Sequence, residues 1–379
     1  MGNIQDSVAG LTAGVKFESV TLYGSHVSYF TGKLENYLRV KGVPYRFLAM
    51  QMPGDFKKVK AAVGVEQMPA VQLADGRWLT DSTKIIEWFE NQTPENSLIP
   101  DDPVQAFFCF LIEDYADEWL WRPAMHYRWH YPLGAQFASR LIVDEMLSDL
   151  PLPAWLKRLG ITQRQRQGFT SGDGVTPHNV KGVEAIYLRL LEQLQAIFKQ
   201  RDFILGSRPS LADIGLAGPF FRHFAFDPVP LEIMRNKAPA VLEWVARLWN
   251  TRLDQCHGSS WLKGMPEDLS PLLSDIGLHY LPSLNANAAA VERGALKFDM
   301  SVAGVDYPSA RSSRYRVWCL QQLRERYQQL PADAAAAVRD ILETHGCWSP
   351  LWVCEPLPLL SEQEQGLPFA GDSRALGLK

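Results

Sequence analysis

The chain has 379 residues, of which 46% are hydrophobic and 21% charged, and its formal net charge is −4. This composition is that of a globular protein with a sizeable core, and the length allows two domains and a small third one. Dense runs of lysine and arginine are absent, which argues against nucleic acid as the main partner.

The cysteine spacing and the lengths of the apolar segments indicate in which cellular compartment the protein is located. Five cysteines are scattered along the chain without a CxxC pair or zinc spacing, which is typical of reduced thiols rather than of a disulfide scaffold. The first nineteen residues lack the basic and apolar regions of a secretory signal, and no stretch approaches the ~20 apolar residues of a membrane span. We therefore expect a cytoplasmic protein with no integral membrane segment.

The first hundred residues predict a mixed α/β domain over 18–95. Ser28 is a good helix N-cap, and Gly42 followed by Val43-Pro44 is a good stop. The predicted elements, in chain order, are a strand over 18–23, a helix from Ser28 to Gly42, a strand over 44–50, a hairpin turning at Asp75-Gly76 and a helix beginning near Asp81-Ser82. The order β-α-β, β-hairpin, α is that of a thioredoxin-like domain.

Two further sections follow. Residues 93–103 are rich in Pro, Asn and Asp, which indicates a boundary between domains. Helical periodicity after this boundary predicts an all-helical domain over 101–257. Its part at 130–180 is less regular and predicts loops around one or two short helices. Residues 258–379 form an α+β extension without a recognisable motif. It has a predicted hairpin across Ala303-Gly304, helices near 309–329 and 332–345, and a loosely ordered tail from Pro356.

Four segments carry a family resemblance: "VTLYGSHVSYFTGKLENYLRVKG", "EQMPAV", "LTDSTKIIEWFE" and "FILGSRPSLADIGLAG". In this order they are similar to the cytosolic glutathione transferase superfamily over roughly residues 18–250. The resemblance implies a thioredoxin-like glutathione-binding domain, an all-α C-terminal domain, glutathione as cosubstrate, a small electrophile as acceptor, a role in detoxification and a homodimer. The last segment contains the capping box Ser210 to Asp213, which we interpret as structural.

The start of the first helix is the candidate catalytic position. Glutaredoxin-like relatives carry CxxC where this chain has "SYFT", so Ser28 stands in place of the reactive cysteine. A serine hydroxyl at a helix N-terminus can donate a hydrogen bond to a thiolate that glutathione supplies. Tyr23 is the competing hydroxyl, with Ser25 and Tyr29 as weaker rivals. From the residues alone, a plain N-cap is the better interpretation of Ser28, and it is the family resemblance that favours the catalytic role.

The resemblance also implies which residues bind the tripeptide glutathione. It implies a cis Met68-Pro69 bond whose Met68 backbone pairs with the cysteinyl part of glutathione, and Asp81 and Ser82 holding the γ-glutamyl end. Lys58, or its neighbours Lys57 and Lys60, is a candidate for the glycyl carboxylate. Without the family, these residues read as a strand-opening proline, a helix cap and a solvated charged face.

The acceptor pocket is predicted from the aromatic segment "DEWLWRPAMHYRWH". Its apolar wall would be formed by Tyr29, Trp119, His126, Tyr127 and Trp129, with core packing as the alternative for at least two of the tryptophans. His126 and His130 are four apart, but no carboxylate or cysteine nearby completes a set of ligands, so we predict no metal.

A non-enzymatic alternative remains open, because "SYFTGKLENYLR" also resembles metaxin-like proteins. In that reading the cleft is vestigial and the fold is an interaction scaffold. In the enzyme reading the chemistry is conjugation, reductive removal of a leaving group or isomerisation. The extension could cover the acceptor pocket, extend a dimer interface or bind a partner.

Overall fold

The structure is a computed structural model that describes residues 17–354 and 356–358. The predicted tail from Pro356 lies outside the described residues beyond position 358. Within the described part, none of the helices is both long enough and apolar enough to cross a membrane.

The N-terminal domain is a four-stranded sheet with helices on both faces, and its strands and the two helices predicted for it follow one another in the predicted order. The strand order is β2-β1-β3-β4, with β1 parallel to β2 and antiparallel to β3, and β3 antiparallel to β4. The elements are β1 Val20–Gly24, α1 Tyr29–Lys41, β2 Tyr45–Ala49, α2 Gly54–Val63, β3 Ala70–Gln72, β4 Trp78–Thr80 and α3 Ser82–Gln92.

Helix α1 has the predicted ends. Ser28 is its N-cap and accepts a hydrogen bond from the amide of Thr31, and Gly42 closes it in a left-handed conformation at φ 77°. All of the helix except Phe30 and Arg39 is buried, since it packs against α3 and against helices of the second domain. Its polar residues Lys33, Glu35 and Asn36 are therefore buried, which periodicity alone does not indicate.

Helix α2 was not predicted. Its sequence is rich in lysine, so its periodicity is weak, and only Val59 and Val63 are buried in it. These two pack with Tyr23 and Met50 in a small core of their own, on the sheet face opposite α1.

The second domain contains eight helices among the described residues. Two of them, α6 and α7, occupy the part predicted as loops around one or two short helices. The number of helices agrees with the prediction, but at 15 and 12 residues they are longer than expected. The helices are α4 Pro103–Glu118, α5 Trp121–Trp129, α6 Pro132–Met146, α7 Ala154–Gln165, α8 Val180–Phe198, α9 Leu211–Pro219, α10 Pro228–Lys237 and α11 Pro239–Asn250. The predicted capping box is present: Asp213 accepts from the Ser210 amide at 2.9 Å.

The extension forms helices around one hairpin. Ala303 and Gly304 turn the hairpin with φ of 50° and 78°, the positive values that a two-residue turn requires. The helix predicted near 309–329 begins only at Arg314, because residues up to 311 belong to the second strand. The elements are α12 Ser270–Asp275, α13 Leu281–Glu292, β5 Lys297–Val302, β6 Val305–Arg311, α14 Arg314–Gln328, α15 Ala332–Thr344 and α16 Trp348–Trp352.

One hydrophobic core runs through all three sections. It includes Leu22 of β1, Ile112 of α4, and Tyr307 and Leu342 of the extension. Helices α14 and α15 pack directly on α4. The extension is therefore an integral part of the fold, and it reaches the region where a site between the first two sections would lie.

Candidate functional site

A cavity of about 220 Å³ lies where the thioredoxin-like domain, α4 and α5, and the extension meet. Its wall combines residues from far apart in the chain. From the first two sections it takes Phe30, Gln67, Met68, Pro69, Asp81, Ser82, Asp117, Glu118, Trp121, Phe169 and Asp173. From the extension it takes Arg311, Ser312, Ser313, Tyr315 and Arg316.

Four of the residues predicted to hold the tripeptide lie together in this wall. Met68-Pro69 is a cis peptide bond, as the resemblance implies. Asp81 and Ser82 follow β4 at the start of α3, so the α3 N-terminus faces the same space. Backbone amides at a helix N-terminus are a favourable environment for a carboxylate.

Asp81 is held in an unusual conformation. Its φ of 69° is in the region that favours glycine, which costs a non-glycine residue about 1–3 kcal/mol. The carboxylate accepts from the Lys84 amide at 3.1 Å, as the N-cap of α3, and from the Tyr315 hydroxyl at 2.7 Å. Burial raises the pKa of Asp81 above its ordinary value, and the Tyr315 hydrogen bond opposes that rise.

Ser28 stands at the mouth of α1 and is partly exposed. Its Oγ accepts from the Thr31 amide at 3.3 Å, which leaves the hydroxyl hydrogen for another acceptor. Ser28 is not itself among the residues that line the cavity, whereas Phe30, two positions along the same helix, is.

Tyr23 and Lys58 are not brought to the cavity. Tyr23 is buried on the α2 face of the sheet, where its hydroxyl receives a hydrogen bond from Lys58 Nζ at 2.6 Å. Lys58 Nζ also lies 4.9 Å from the Tyr23 ring centre. Strand alternation explains this placement, because Leu22 faces the main core and its neighbour Tyr23 must face the other way.

The five residues predicted for the acceptor pocket lie in the core instead. Tyr29 donates to the Ala116 carbonyl at 2.5 Å, and His126 Nε2 lies 3.0 Å from Glu184 Oε1. Tyr127 packs on Tyr187, Trp119 on Arg122 and Tyr307, and Trp129 in a small separate core. The α5 segment is packed on nearly all sides, which is why so many of its aromatic residues are unavailable.

A different set of aromatic residues lines the cavity. The Phe30 and Trp121 rings are stacked with centres 5.7 Å apart, and Phe169 meets Trp121 edge-on at 5.5 Å. Trp121 lies in the segment that the sequence singled out, but Phe169 lies in the part predicted to be a loop. These three rings form the aromatic part of the cavity wall.

A buried cation lies behind the cavity. Lys33 of α1 donates to Asp117 at 2.5 Å and to Glu113, both on α4, and to Thr83 at 3.0 Å. Burial alone would lower the pKa of Lys33, but the charges of Asp117 and Glu113 raise it. Burial raises the pKa of Asp117. The cluster fixes α4 against the first domain.

The extension supplies a charged wall that sequence reasoning missed. Arg316 Nε donates to Glu118 at 3.0 Å, and its Nη2 lies 3.5 Å from Asp173. The turn before α14 is fixed by Asn287, which exchanges two hydrogen bonds with the backbone of Ser313, at 2.7 and 2.8 Å. The extension carries no local motif, so only its position in the fold identifies these residues.

Among the described residues, no group of three or more His, Cys, Asp or Glu side chains is arranged to hold a metal ion. His126 and His130, the pair considered from sequence, stack on each other with ring centres 4.6 Å apart.

Two family profiles match the chain. "Glutathione S-transferase, N-terminal domain" covers residues 22–97, and "Glutathione S-transferase, C-terminal domain" covers residues 153–247. Neither reaches the extension. Glutathione S-transferases U6 and U7 from Arabidopsis thaliana are each 27% identical, over 103 and 108 residues. These matches cover 27% and 28% of this chain and 46% and 48% of the relatives, so the chain spans about half the length of the curated relatives it matches.

Solved structures show weaker likenesses. The beta-etherase LigF from Sphingobium sp. strain SYK-6 is 22% identical with a TM-score of 0.42, covering 61% of this chain and 95% of that one. A glutathione S-transferase from Rhodospirillum rubrum F11 is 18% identical with a TM-score of 0.42, covering 65% and 95%. Likenesses at this level bear on neither the site nor the reaction.

Proposed function

Since the chain belongs to the glutathione transferase superfamily, we propose that its cavity binds glutathione and that Ser28 activates the thiol. The activated sulfur would then form or cleave a thioether on a small electrophilic acceptor. The observation that carries this proposal is the meeting of cis Met68-Pro69, Asp81 and Ser82 in one cavity beside the first helix.

The tripeptide's γ-glutamyl end fits the start of α3. Its carboxylate would bind the Ser82 hydroxyl and the amides of the helix N-terminus. Its ammonium would bind Asp81, whose carboxylate offers about four acceptor positions. Lys84 and Tyr315 use two of these, so acceptor capacity remains for the ligand.

The thiol would lie beside the mouth of α1. A free thiol has a pKa of ~8.5, and lowering it by about two units needs a preference of roughly 2.7 kcal/mol for the anion. One charge-assisted hydrogen bond from Ser28 plus the positive end of the helix dipole is of that size. No general base is then needed, because the thiol loses its proton to water before it reacts.

The stacked wall of Phe30, Trp121 and Phe169 suits a flat apolar acceptor. In the conjugation form of the reaction the sulfur forms a bond to the electrophilic carbon, and the leaving group departs with the electron pair of the broken bond. By family analogy we also propose a cytoplasmic homodimer with a role in detoxification.

A metaxin-like scaffold is the second candidate. One contact favours it: the Tyr315 hydroxyl of the extension already donates a hydrogen bond to the Asp81 carboxylate. In a vestigial cleft such an internal contact replaces the ligand. Thermal unfolding with and without glutathione separates the two candidates, because only a ligand that binds the folded state raises the melting temperature.

The direct test of the proposed function is the turnover of an aryl halide with glutathione across a range of pH. We expect Ser28→Ala to lower the rate by roughly ten- to a hundredfold at neutral pH and much less at high pH, where glutathione ionises by itself. Asp102→Ala is the control, since Asp102 also caps a helix, α4, but does not line the cavity. A wild-type rate for Ser28→Ala at every pH would remove Ser28 from the mechanism.

A further inference from the structure

Helix α7 exposes a stripe of large apolar side chains. Leu152, just before the helix, and Trp155, Leu156 and Leu159 within it are 51%, 67%, 40% and 59% exposed. Within the helix, spacings of three and four residues place Trp155, Leu156 and Leu159 on one face, and Leu152 precedes them in the chain. Ten large hydrophobic side chains are exposed in the described part of the chain, and four of them fall within these eight residues. We call these four residues the α7 stripe.

The helix is anchored from its other side. Lys157 Nζ donates to the Leu147 carbonyl at 2.7 Å and to the Leu150 carbonyl at 3.3 Å, at the end of α6. Ile161 packs into the small core that also contains Trp129. These contacts fix the direction in which α7 faces, although none of its own residues is buried. The folded protein therefore holds the α7 stripe in a fixed, exposed position.

The charged residues of the segment that carries the stripe are basic. Residues 150–172 contain Lys157, Arg158, Arg164 and Arg166, a local charge of +4 in a chain whose net charge is −4, and this segment is flanked by Asp149 and Asp173. An interfacial helix has Trp and Leu on one face and Lys and Arg on its polar face.

We propose that the α7 stripe docks on an anionic lipid surface. The helix would lie in the plane of the interface, with Trp155 and the three leucines among the headgroups and upper acyl chains. Arg158 and Arg164 would remain near the level of the lipid phosphates and add to the attraction of the surface, whereas Lys157 and Arg166 are bound to backbone carbonyls of the protein. This docking site is separate from the glutathione cavity.

A second copy of the chain fits the stripe less well. A symmetric contact through α7 would bring the basic segments of the two copies together, which opposes association. The four exposed side chains also offer an apolar patch on the order of 400 Å², about half of the ~800 Å² that each partner of a stable interface buries. A lipid surface needs no such area and supplies the opposite charge.

The test is flotation of the full-length chain with vesicles of phosphatidylcholine alone and of phosphatidylcholine with phosphatidylserine. We expect at least about tenfold stronger partition onto the vesicles that contain phosphatidylserine, and a loss of that preference as salt is added. The double variant Trp155→Gln, Leu159→Gln should weaken this partition at least about tenfold. Leu278→Gln is the matched control, because Leu278 is 58% exposed in the extension and should leave the partition unchanged.

Three results would overturn the proposal. One is equal partition onto neutral and anionic vesicles, or none onto either. Another is unchanged partition of the double variant. The third is a concentration-dependent dimer in solution that the double variant abolishes, which would make the stripe a contact between copies. Neither Trp155 nor Leu159 lines the glutathione cavity, so failure here leaves the proposed reaction untouched.

Discussion

Asp81 connects the part of the candidate site that the N-terminal domain forms with the part that the extension forms. It caps α3, lies in the cavity wall, and accepts a hydrogen bond from a tyrosine 234 residues further along the chain. The sequence predicts Asp81 and Ser82 because a helix cap is a local pattern within four residues. Tyr315 lies in a section without a motif, so its role depends on long-range packing and could not be predicted.

The Tyr315 hydroxyl should set the pH range of glutathione binding. Because a hydrogen bond to the ionised carboxylate lowers the pKa of Asp81, Tyr315→Phe should raise that pKa further. Binding of an ammonium needs the ionised carboxylate. The affinity for glutathione should therefore begin to weaken at a higher pH in the variant than in the wild type as the solution is acidified.

Titration calorimetry of glutathione at a series of pH values measures this shift. Tyr327→Phe is the control, since its hydroxyl donates to the Ala335 carbonyl at 3.3 Å and lies outside the cavity wall. Identical pH profiles for wild type and Tyr315→Phe would show that Asp81 does not hold the ammonium.

Helix α1 shows what a periodic pattern does and does not predict. Its N-cap and its glycine stop are local signals, and both ends were predicted correctly. Its surroundings were not, because the apolar positions indicate one buried face while the second domain covers the others. Lys33 and Glu35 are buried because they find partners on α4 and in the segment after α9.

The α1–α4 contact should depend strongly on its buried cation. Lys33→Met leaves Asp117 and Glu113 without their positive partner, and breaking a buried ion pair from one side typically costs about 3–5 kcal/mol. Urea unfolding measures the loss of free energy.

Lys60→Met is the matched control, because Lys60 and Glu66 form an exposed pair at 3.4 Å. A loss for Lys33→Met as small as that for Lys60→Met would mean that the buried cluster contributes little to stability.

Helix α5 shows the opposite failure of prediction. The aromatic residues in this helix and just before it suggest a binding wall, yet Trp119, Tyr127 and Trp129 are all at most 1% exposed. Composition does not distinguish a pocket from a core, because both are lined by large apolar side chains. Trp121 reaches the cavity only because Phe30 and Phe169 pack beside it, and that placement requires the assembled fold.

At the scale of the whole molecule, the extension forms part of the main hydrophobic core and is not a separate surface addition. Its residues join the same hydrophobic cluster as the first strand, and its hydroxyls and guanidinium groups meet carboxylates on α4. The hairpin and the two long helices could be predicted from local patterns. Their position over α4 could not, because it is decided by contacts between residues more than 150 positions apart.

The contact between α4 and the extension should make the free energy of unfolding depend on pH. Burial raises the pKa of Asp114 to about 7, and its carboxylate accepts from the Tyr280 hydroxyl at 2.6 Å. The unfolded chain releases this proton near pH ~3.9. The stabilisation from the bound proton is therefore complete below that pH and is lost as the pH rises to about 7.

Asp114→Asn removes this dependence while keeping an acceptor for Tyr280. The free energy of unfolding of the variant, minus that of the wild type, should increase by about 1–3 kcal/mol between pH 4 and pH 7. Urea unfolding of both proteins at several pH values measures the difference. A difference that stays constant over this range would show that Asp114 is ionised in the folded protein as readily as in the unfolded chain.

The most direct measurement is a crystal structure of the full-length chain with glutathione bound. The account predicts the γ-glutamyl carboxylate at Ser82 and the start of α3, the cysteinyl backbone beside Met68, and the sulfur within hydrogen-bond distance of Ser28 Oγ. Glutathione bound elsewhere, or a sulfur out of reach of that hydroxyl, would contradict it.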